Sequence, residues 1–350
     1  MPGRDDIGGQ TRARRPRRVT SFDVAEAAGV SQSTVSRALA HDPSISQRTR
    51  ERVIAAAQQL NYQVDENAAR LRKGRTGTLA VVMICRAGQD RNDINPFYFS
   101  LLGSTCAAAS TRGYEVLVSF QDSPENFWGH HEERRRADGL IVIGTCENAA
   151  AWDYFGALSD RGLHWVCWGS PDDAFDWVRS DNRTGAALAA ELLVDRGCRD
   201  IYCLGKLGSS QRQFDERWDG FSEAMRGRGH APRLAEVEPG LSREEQGRRA
   251  VAALVDAGTP FDGIFAVCDE MALGALKELE ARGMAVPDDV AIVGFDGARA
   301  GAFSSPPLTT IEPDFEVAGA LLVDRLLAQL GELDTPGNRV PVRMLRRGTA

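Results

Sequence analysis

The stretch at 19–73 constrains this chain more than any other, and its centre is Asp23-Val-Ala-Glu-Ala-Ala-Gly-Val-Ser-Gln-Ser-Thr-Val-Ser-Arg-Ala-Leu39. It reads as helix, tight turn, helix. Thr20 is placed to cap the first helix, with Asp23 three residues on favouring its positive N-terminal end. Val24, Ala27 and Ala28 give that helix one apolar stripe. Gly29 ends it, because a tight turn between packed helices needs a residue tolerant of positive φ, and Val30 fits the angle between the two. Ser31 caps the second helix, on which Val35 and Leu39 lie one turn apart and face inward. Gln32, Ser33, Ser36 and Arg37 are left pointing outward. Short hydrogen-bonding groups and one fork-shaped cation suit the reading of base edges in a major groove. Taken alone, the same helix would also serve as the exposed polar face of any small domain.

The next segments narrow that choice. Ser46 caps a third helix running to about residue 60, with Val53, Ile54, Ala57 and Leu60 on its buried face, and Asn61-Tyr62 closes it. Residues 65–76 follow with helix-forming composition over about two turns, too short to be stable alone in water. Leu71 stands there among Arg70, Arg72, Lys73 and Arg75. That pattern fits either a basic linker or a segment that folds on DNA and wedges open a minor-groove step. Charge divides in the same place. Residues 1–75 hold 14 Lys and Arg against 8 Asp and Glu, a net of +6, while the remainder holds 28 against 41, a net of −13. A basic head on an acidic body is the footprint of a nucleic-acid-binding module.

Beyond residue 76 the texture becomes apolar strand-like runs alternating with helical stretches. Strands are expected at 79–84, 115–120, 139–143, 164–168, 200–204, 263–267 and 290–295, and helices at 99–112, 184–196, 217–228, 243–257, 271–282 and 315–330. Such alternation argues for parallel sheets covered by helices. The run is too long for one ordinary doubly wound sheet, so two are expected, with a first crossover at 178–182, a return at 309–313 and a third hinge strand at 335–340. Ligands in such sheets bind beyond the carboxyl ends of the strands, so two facing sheets define a cleft lined by strand-end loops.

The run from Val19 to Arg37, followed by Ser46-x-x-Thr49-Arg50-Glu51-Arg52-Val53, Leu60-Asn61-Tyr62 and Gly74-Arg75-Thr76, resembles the LacI/GalR family of bacterial transcription regulators. The likeness continues through Ser180-Asp-Asn-Arg-Thr-Gly185, Arg217-x-x-Gly220-Phe221, Asp269-x-Met271-Ala272-x-Gly274-Ala275, Val293-Gly-Phe-Asp296 and Pro307-Leu-Thr-Thr-Ile311. It implies a small all-α helix-turn-helix DNA-binding domain with a hinge helix, joined to a two-subdomain α/β effector domain of the periplasmic-binding-protein type. The expected organisation is a disordered basic arm at 1–18, the DNA-binding domain at 19–63 and a hinge at 64–76. An N-subdomain at 77–178 and 310–340, a C-subdomain at 179–309 and a tail at 341–350 complete it.

On this reading the chain is a homodimeric repressor of a metabolic operon that binds a pseudo-palindromic double-stranded operator. Gln32 and Ser33 largely set base preference, Arg37 contacts guanine, and Ser36 faces the DNA beside them. Thr20, Ser31, Thr34, Ser46, Thr49 and Tyr62 contact phosphates. Ala68 and Leu71 lie on the hinge helix, Leu71 wedging a central step that the resemblance implies to be C-G. A sugar-like effector is expected in the cleft, held by Arg217 and Asp296, with Asn95, Phe97, Trp168, Cys268 and Asp269 around it. Release from DNA on effector binding is the sign implied by the family.

The chain also departs from that pattern. Cys268 stands where many relatives carry Asn, no aromatic lies near Pro239-Gly-Leu241, and Val64-Asp65 replaces the usual Pro-Asn ahead of the hinge helix. Enzyme signatures are missing: there is no G-x-S-x-G elbow, no phosphate-binding loop ending in Gly-Lys-Ser/Thr and no G-x-G-x-x-G after a strand. His130-His131-Glu132 lacks the second spaced His of a zinc helix and is expected on a solvated helix with Glu133 and Arg134–Arg136. Seven cysteines without a C-x-x-C pair read as reduced core thiols. No catalytic residue, metal or cofactor is expected, and the absence of any apolar leader or membrane-length run points to the cytoplasm. The competing class is a cytosolic sugar-binding or sugar-processing protein without specific DNA readout.

Overall fold

The computed structural model describes residues 19–62, 75–86, 88, 94–208 and 210–350. The chain divides between residues 74 and 75 into two separately packed units.

Among its described residues the first unit is three helices, α1 (Ser21–Ala28), α2 (Gln32–Leu39) and α3 (Gln47–Gln59). Gly29 closes α1 at φ +61° and its N–H reaches back to the α1 carbonyls, so the turn demands the left-handed region rather than a small side chain. Val24, Ala25, Ala28, Val35, Ala38, Val53, Ala56 and Ala57 form its core. Ala25 faces inward where Ala27 was expected, because α1 meets α2 and α3 on two sides and its apolar stripe is broader than one i, i+4 row. Ile54 and Leu60 are only half-buried.

The second unit holds two six-stranded sheets. The first is built from β1 (Thr78–Ile84), α4 (Pro96–Thr111), β2 (Glu115–Gln121), β3 (Leu140–Gly144), α5 (Ala149–Ser159), β4 (Trp165–Trp168) and β5 (Trp177–Ser180). The chain then crosses into α6 (Asn182–Arg196), β6 (Ile201–Gly205), α7 (Arg212–Gly227), β7 (Arg233–Glu236), α8 (Arg243–Asp256), β8 (Gly263–Ala266), α9 (Asp269–Ala281) and β9 (Ala291–Phe295). After β10 (Thr309–Pro313) it returns as α10 (Phe315–Gln329), adds β11 (Arg339–Val340) to the first sheet and ends with β12 (Val342–Leu345) in the second. The orders are β11-β5-β4-β3-β1-β2 and β12-β10-β9-β8-β6-β7. The pairings are parallel apart from β10 with β12. Strands such as β3 and β9 are buried along their whole length, as strands covered on both faces must be, which is why they read as unbroken apolar runs.

Several expectations give way. The strand β7 and the helix α5 are not among the expected elements, and the first crossover expected at 178–182 is β5 running into α6; β7 is an edge strand whose Arg-Leu-Ala-Glu carries little apolar signal. Helix α7 starts at Arg212 rather than 217, which puts Gln213, Phe214 and Glu216 on the same helix as Arg217. Residues 130–135 are turns, not a solvated helix: Arg135 sits at φ +50°, and His131 is buried with its ring 4.2 Å from that of Trp128. Residues 341–350, expected as a tail, supply a sheet strand and the buried Thr349, whose hydroxyl donates to Ile292 O at 2.7 Å.

Candidate nucleic-acid interface and ligand cleft

In the first unit, Ser31 and Ser46 cap α2 and α3. Their hydroxyls accept from the N–H groups of Thr34 and Thr49 at 3.2 and 3.3 Å and lie 2.8 and 2.9 Å from the hydroxyls of the same threonines. Two helix starts therefore present paired hydroxyls at the positive end of the helix dipole, an arrangement suited to phosphate oxygens. The hydroxyl and N–H of Thr20 both donate to Asp23 at 2.7 Å, so the proton of Thr20 is committed to the α1 cap. Gln32 donates to the Ser21 hydroxyl at 3.2 Å, tying α2 to α1. Ser33 and Arg37 are exposed and Ser36 is half-buried; Arg37 leans back on the Ser33 carbonyl at 3.4 Å. Tyr62 is half-buried against the three-helix core. Ala68 and Leu71, the arm at 1–18 and most of the expected hinge lie outside the described residues.

In the second unit α7 and the end of β9 bring Arg217 and Asp296 together. Arg217, 4% exposed, places Nη1 3.1 Å from Asp296 Oδ1, donates from Nε to Asn182 Oδ1 at 2.9 Å, and stacks 3.6 Å over the Phe295 ring. Asp296 holds φ +121°, a region L-residues rarely adopt, with its N–H on Ile311 O at 2.7 Å. Burial pushes its carboxyl up to about 6 despite the neighbouring guanidinium.

The remaining expected residues divide between scaffold and core. Asp269 is 1% exposed and both its oxygens are engaged, Oδ1 by the Thr310 hydroxyl at 2.5 Å and Oδ2 by the Ala298 N–H at 2.6 Å. Burial first, and the charge of Asp296 second, raise its carboxyl. Gly294 allows this approach, since a Cβ there would come within 2.2 Å of Oδ1. Asn95 caps α4 by accepting from the Phe97 N–H at 2.8 Å. Cys268 is buried just before α9, and burial raises its thiol. Phe97 and Trp168 are 8% and 3% exposed, their rings 5.7 Å apart, and Phe97 packs 5.2 Å from Phe315 at the start of α10. They belong to the first sheet's core rather than to an open stacking surface.

Other side chains occupy the gap between the sheets. Glu147, in the turn after β3, pairs with Arg86 at 2.5 Å and with Arg243 at the start of α8, so one carboxylate bridges both sheets. The Arg243 guanidinium lies 5.0 Å from the Phe214 ring. The hydroxyl of Tyr98 is raised mainly by burial, with Cys146 and Asp296 adding to it. Glu270 is raised by burial and then by Asp296. Gln213 is 9% exposed and its Oε1 is buried without a hydrogen-bond partner, an uncommon state for a buried amide. Its amide lies against Gly169, where an added Cβ would come 2.5 Å from Nε2. These residues were legible in principle, since each sits just past a strand or in the first turns of the helix after it. A cavity of about 460 Å³ lies elsewhere, lined by Glu312, Asp314, Phe315 and Arg343 at the strand crossings.

Among the described residues no cluster of His, Cys, Asp or Glu is arranged to hold a metal ion, and no helix is long and apolar enough to cross a membrane.

The sequence matches two family models: bacterial regulatory proteins of the lacI family at residues 22–65, and the periplasmic binding protein-like domain at 190–350. Among curated proteins it is 30% identical to the HTH-type transcriptional regulator CelR of Thermobifida fusca, over 91% of this chain and 95% of that one. The ribose operon repressor of Escherichia coli K12 is 27% identical over 95% and 99%. A solved lac repressor dimer, bound to operator and the anti-inducer ONPF, superposes with a TM-score of 0.68 at 26% identity, covering 95% of this chain and 99% of that one. A CelR–cellobiose complex gives 0.64 at 26% identity, covering 95% and 100%.

Proposed function

The chain belongs to the lacI family of bacterial regulatory proteins, and from that premise we propose that it is a dimeric operator-binding repressor released by a small hydroxyl-rich effector. Its relatives are transcriptional regulators, and this chain is read as one of them rather than as an enzyme. The observation that carries the reading is the outward face of α2, where Ser33 and Arg37 stand exposed on a helix whose inner face is buried. Two such helices, related by a two-fold axis, enter successive major grooves. Arg37 makes a guanine contact, Gln32, Ser33 and Ser36 bias neighbouring bases, and the hydroxyls of Ser31, Thr34, Ser46, Thr49 and Tyr62 fix register on the phosphates, while that of Thr20 stays on Asp23. Ala68 and Leu71 belong to the proposed minor-groove wedge.

The effector occupies the gap between the sheets. Arg217 and Asp296 form a donor–acceptor pair for adjacent hydroxyls, and Gln213, Arg243 and Tyr98 surround it. Asp269, Cys268 and Asn95 shape the wall, and Phe97 and Trp168 back it. Cellobiose in the CelR complex is the precedent for a hydroxylated ligand. The ligand acts by differential affinity for two arrangements of the sheets, typically worth about 1–3 kcal/mol of coupling.

The test is selection of DNA by the full-length protein from a random pool, then mobility shifts at two salt concentrations with cellobiose and ribose added. A selected palindrome whose retention falls with a sugar supports the reading. A sugar-dependent melting shift without sequence preference in DNA overturns it in favour of a sugar-binding protein.

A further inference from the structure

The hydrogen bonds of α7 continue past the cleft without a break. Asn182, fully buried at the start of α6, uses both ends of its amide: Oδ1 accepts from Arg217 Nε at 2.9 Å, and Nδ2 donates to Glu216 Oε2 at 2.6 Å. Arg217 and Glu216 are neighbours in sequence but point apart on the helix, so Asn182 closes the gap between them. Glu216 in turn accepts from Arg339 at 2.7 and 2.9 Å and from Arg179 at 3.1 Å. Those two arginines face each other in register across β5 and β11 and both lie over the Trp177 ring, at 4.1 and 4.6 Å. One strand leads to α6 and the other to β12, so both belong to crossings between the sheets. Burial opposes the charge on Glu216, yet the hydrogen bonds from Arg339 and Asn182 hold its carboxyl below the ordinary range.

Buried charges do not tolerate the loss of a partner. If Arg217 turns toward a ligand, the Asn182 carbonyl either follows it, drawing the amide away from Glu216, or is left buried and unpaired. We propose that Glu216 is a positioning residue that ties, through Asn182, the orientation of Arg217 to the hinge strands β5 and β11. Its regulatory meaning rests on the cleft reading above; its physical content does not. The line Asp296–Arg217–Asn182–Glu216–Arg339 is one coupled network and not a row of local staples.

The test is a double-substitution cycle on the full-length chain, without ligand or DNA. Asp296→Asn perturbs the cleft end and Arg339→Gln the hinge end. The expected result is a combined change in the unfolding constant that departs from the product of the single changes by about fivefold or more, falling to about twofold or less once Asn182→Ala is present. A product within twofold when Asn182 is intact overturns the proposal. Hydrogen exchange on Asp296→Asn alone supplies the second measurement. The amides of Arg179 and Asp181, which donate to Asn338 O and Val340 O across the hinge, are expected to exchange about threefold faster while β6 is unchanged. Changes confined to β9 and α7 overturn the proposal and leave a structural ion pair. Neither measurement involves a sugar or an operator, so a failed assay for either leaves this result independent.

Discussion

Arg37 and Arg217, the cations proposed to meet DNA and effector, are held in two different ways. Arg37 is exposed on an eight-residue helix and leans on the Ser33 carbonyl, while Val35 and Ala38 beneath it carry the packing. Arg217 is almost wholly buried and is held by Asp296, Asn182, Val267 O and the Phe295 ring. In the first unit the proposed recognition and the packing use different faces of the same helix. In the second they use the same atoms, so a change there cannot touch one without the other.

The largest expected effect tests the second half of that contrast. Arg217→Ala leaves Asp296 buried without its counter-charge and is expected to destabilise the second unit by about 3–5 kcal/mol in urea unfolding, as well as abolishing any effector response. A loss below about 1 kcal/mol would break the comparison, because such a change is ordinary for surface positions.

Next in size is a pH effect. The Asp296 carboxyl, raised to about 6, takes up protons in the folded state more readily than in the unfolded one. Its contribution is therefore most favourable below its ordinary range of about 4 and is lost as pH rises through about 6. Asp296→Asn should flatten that fall in stability between pH 4 and 7 by on the order of 2 kcal/mol, read from melting curves across the range. Unchanged pH dependence would mean the carboxyl is solvated.

Arg37→Ala sharpens the other half. It is expected to cost about 1–3 kcal/mol of preference for selected over random DNA. Thermal stability should move by less than about 0.5 kcal/mol. A large melting shift would show that the first unit, too, mixes the two roles. Smallest is Ser31→Ala, which removes the α2 cap and should lower the stability of the three-helix unit by about 1 kcal/mol, with a matching loss of affinity at every DNA sequence.

The same contrast explains what could be read from the residues alone. The recognition helix was legible because its inner and outer faces alternate with helical period and its cap is a Ser at the expected place. The Arg217–Asp296 pair was legible through family likeness, since the two residues lie far apart in the chain and meet only when α7 comes beside the end of β9. Glu147, Arg243 and Gln213 were missed because a charged or amide residue after a strand looks like any loop residue until the opposite sheet is in place. Phe97 and Trp168 stand at strand ends, where residue type alone does not separate an aromatic facing a cleft from one packed in a core; here they pack on each other and Phe97 on Phe315. The boundaries of α7 were missed for a related reason: Arg-Gln-Phe-Asp-Glu gives no apolar row until Phe214 and Phe221 find the core.

Trp177 has a further use. Two guanidinium groups of the paired strands β5 and β11 lie over its ring, and an indole's emission responds to charges held so close. The molecule thus carries its own optical reporter: with the other five tryptophans replaced by phenylalanine, the colour and brightness of the one remaining would report, without a label, a change at the paired strands β5 and β11.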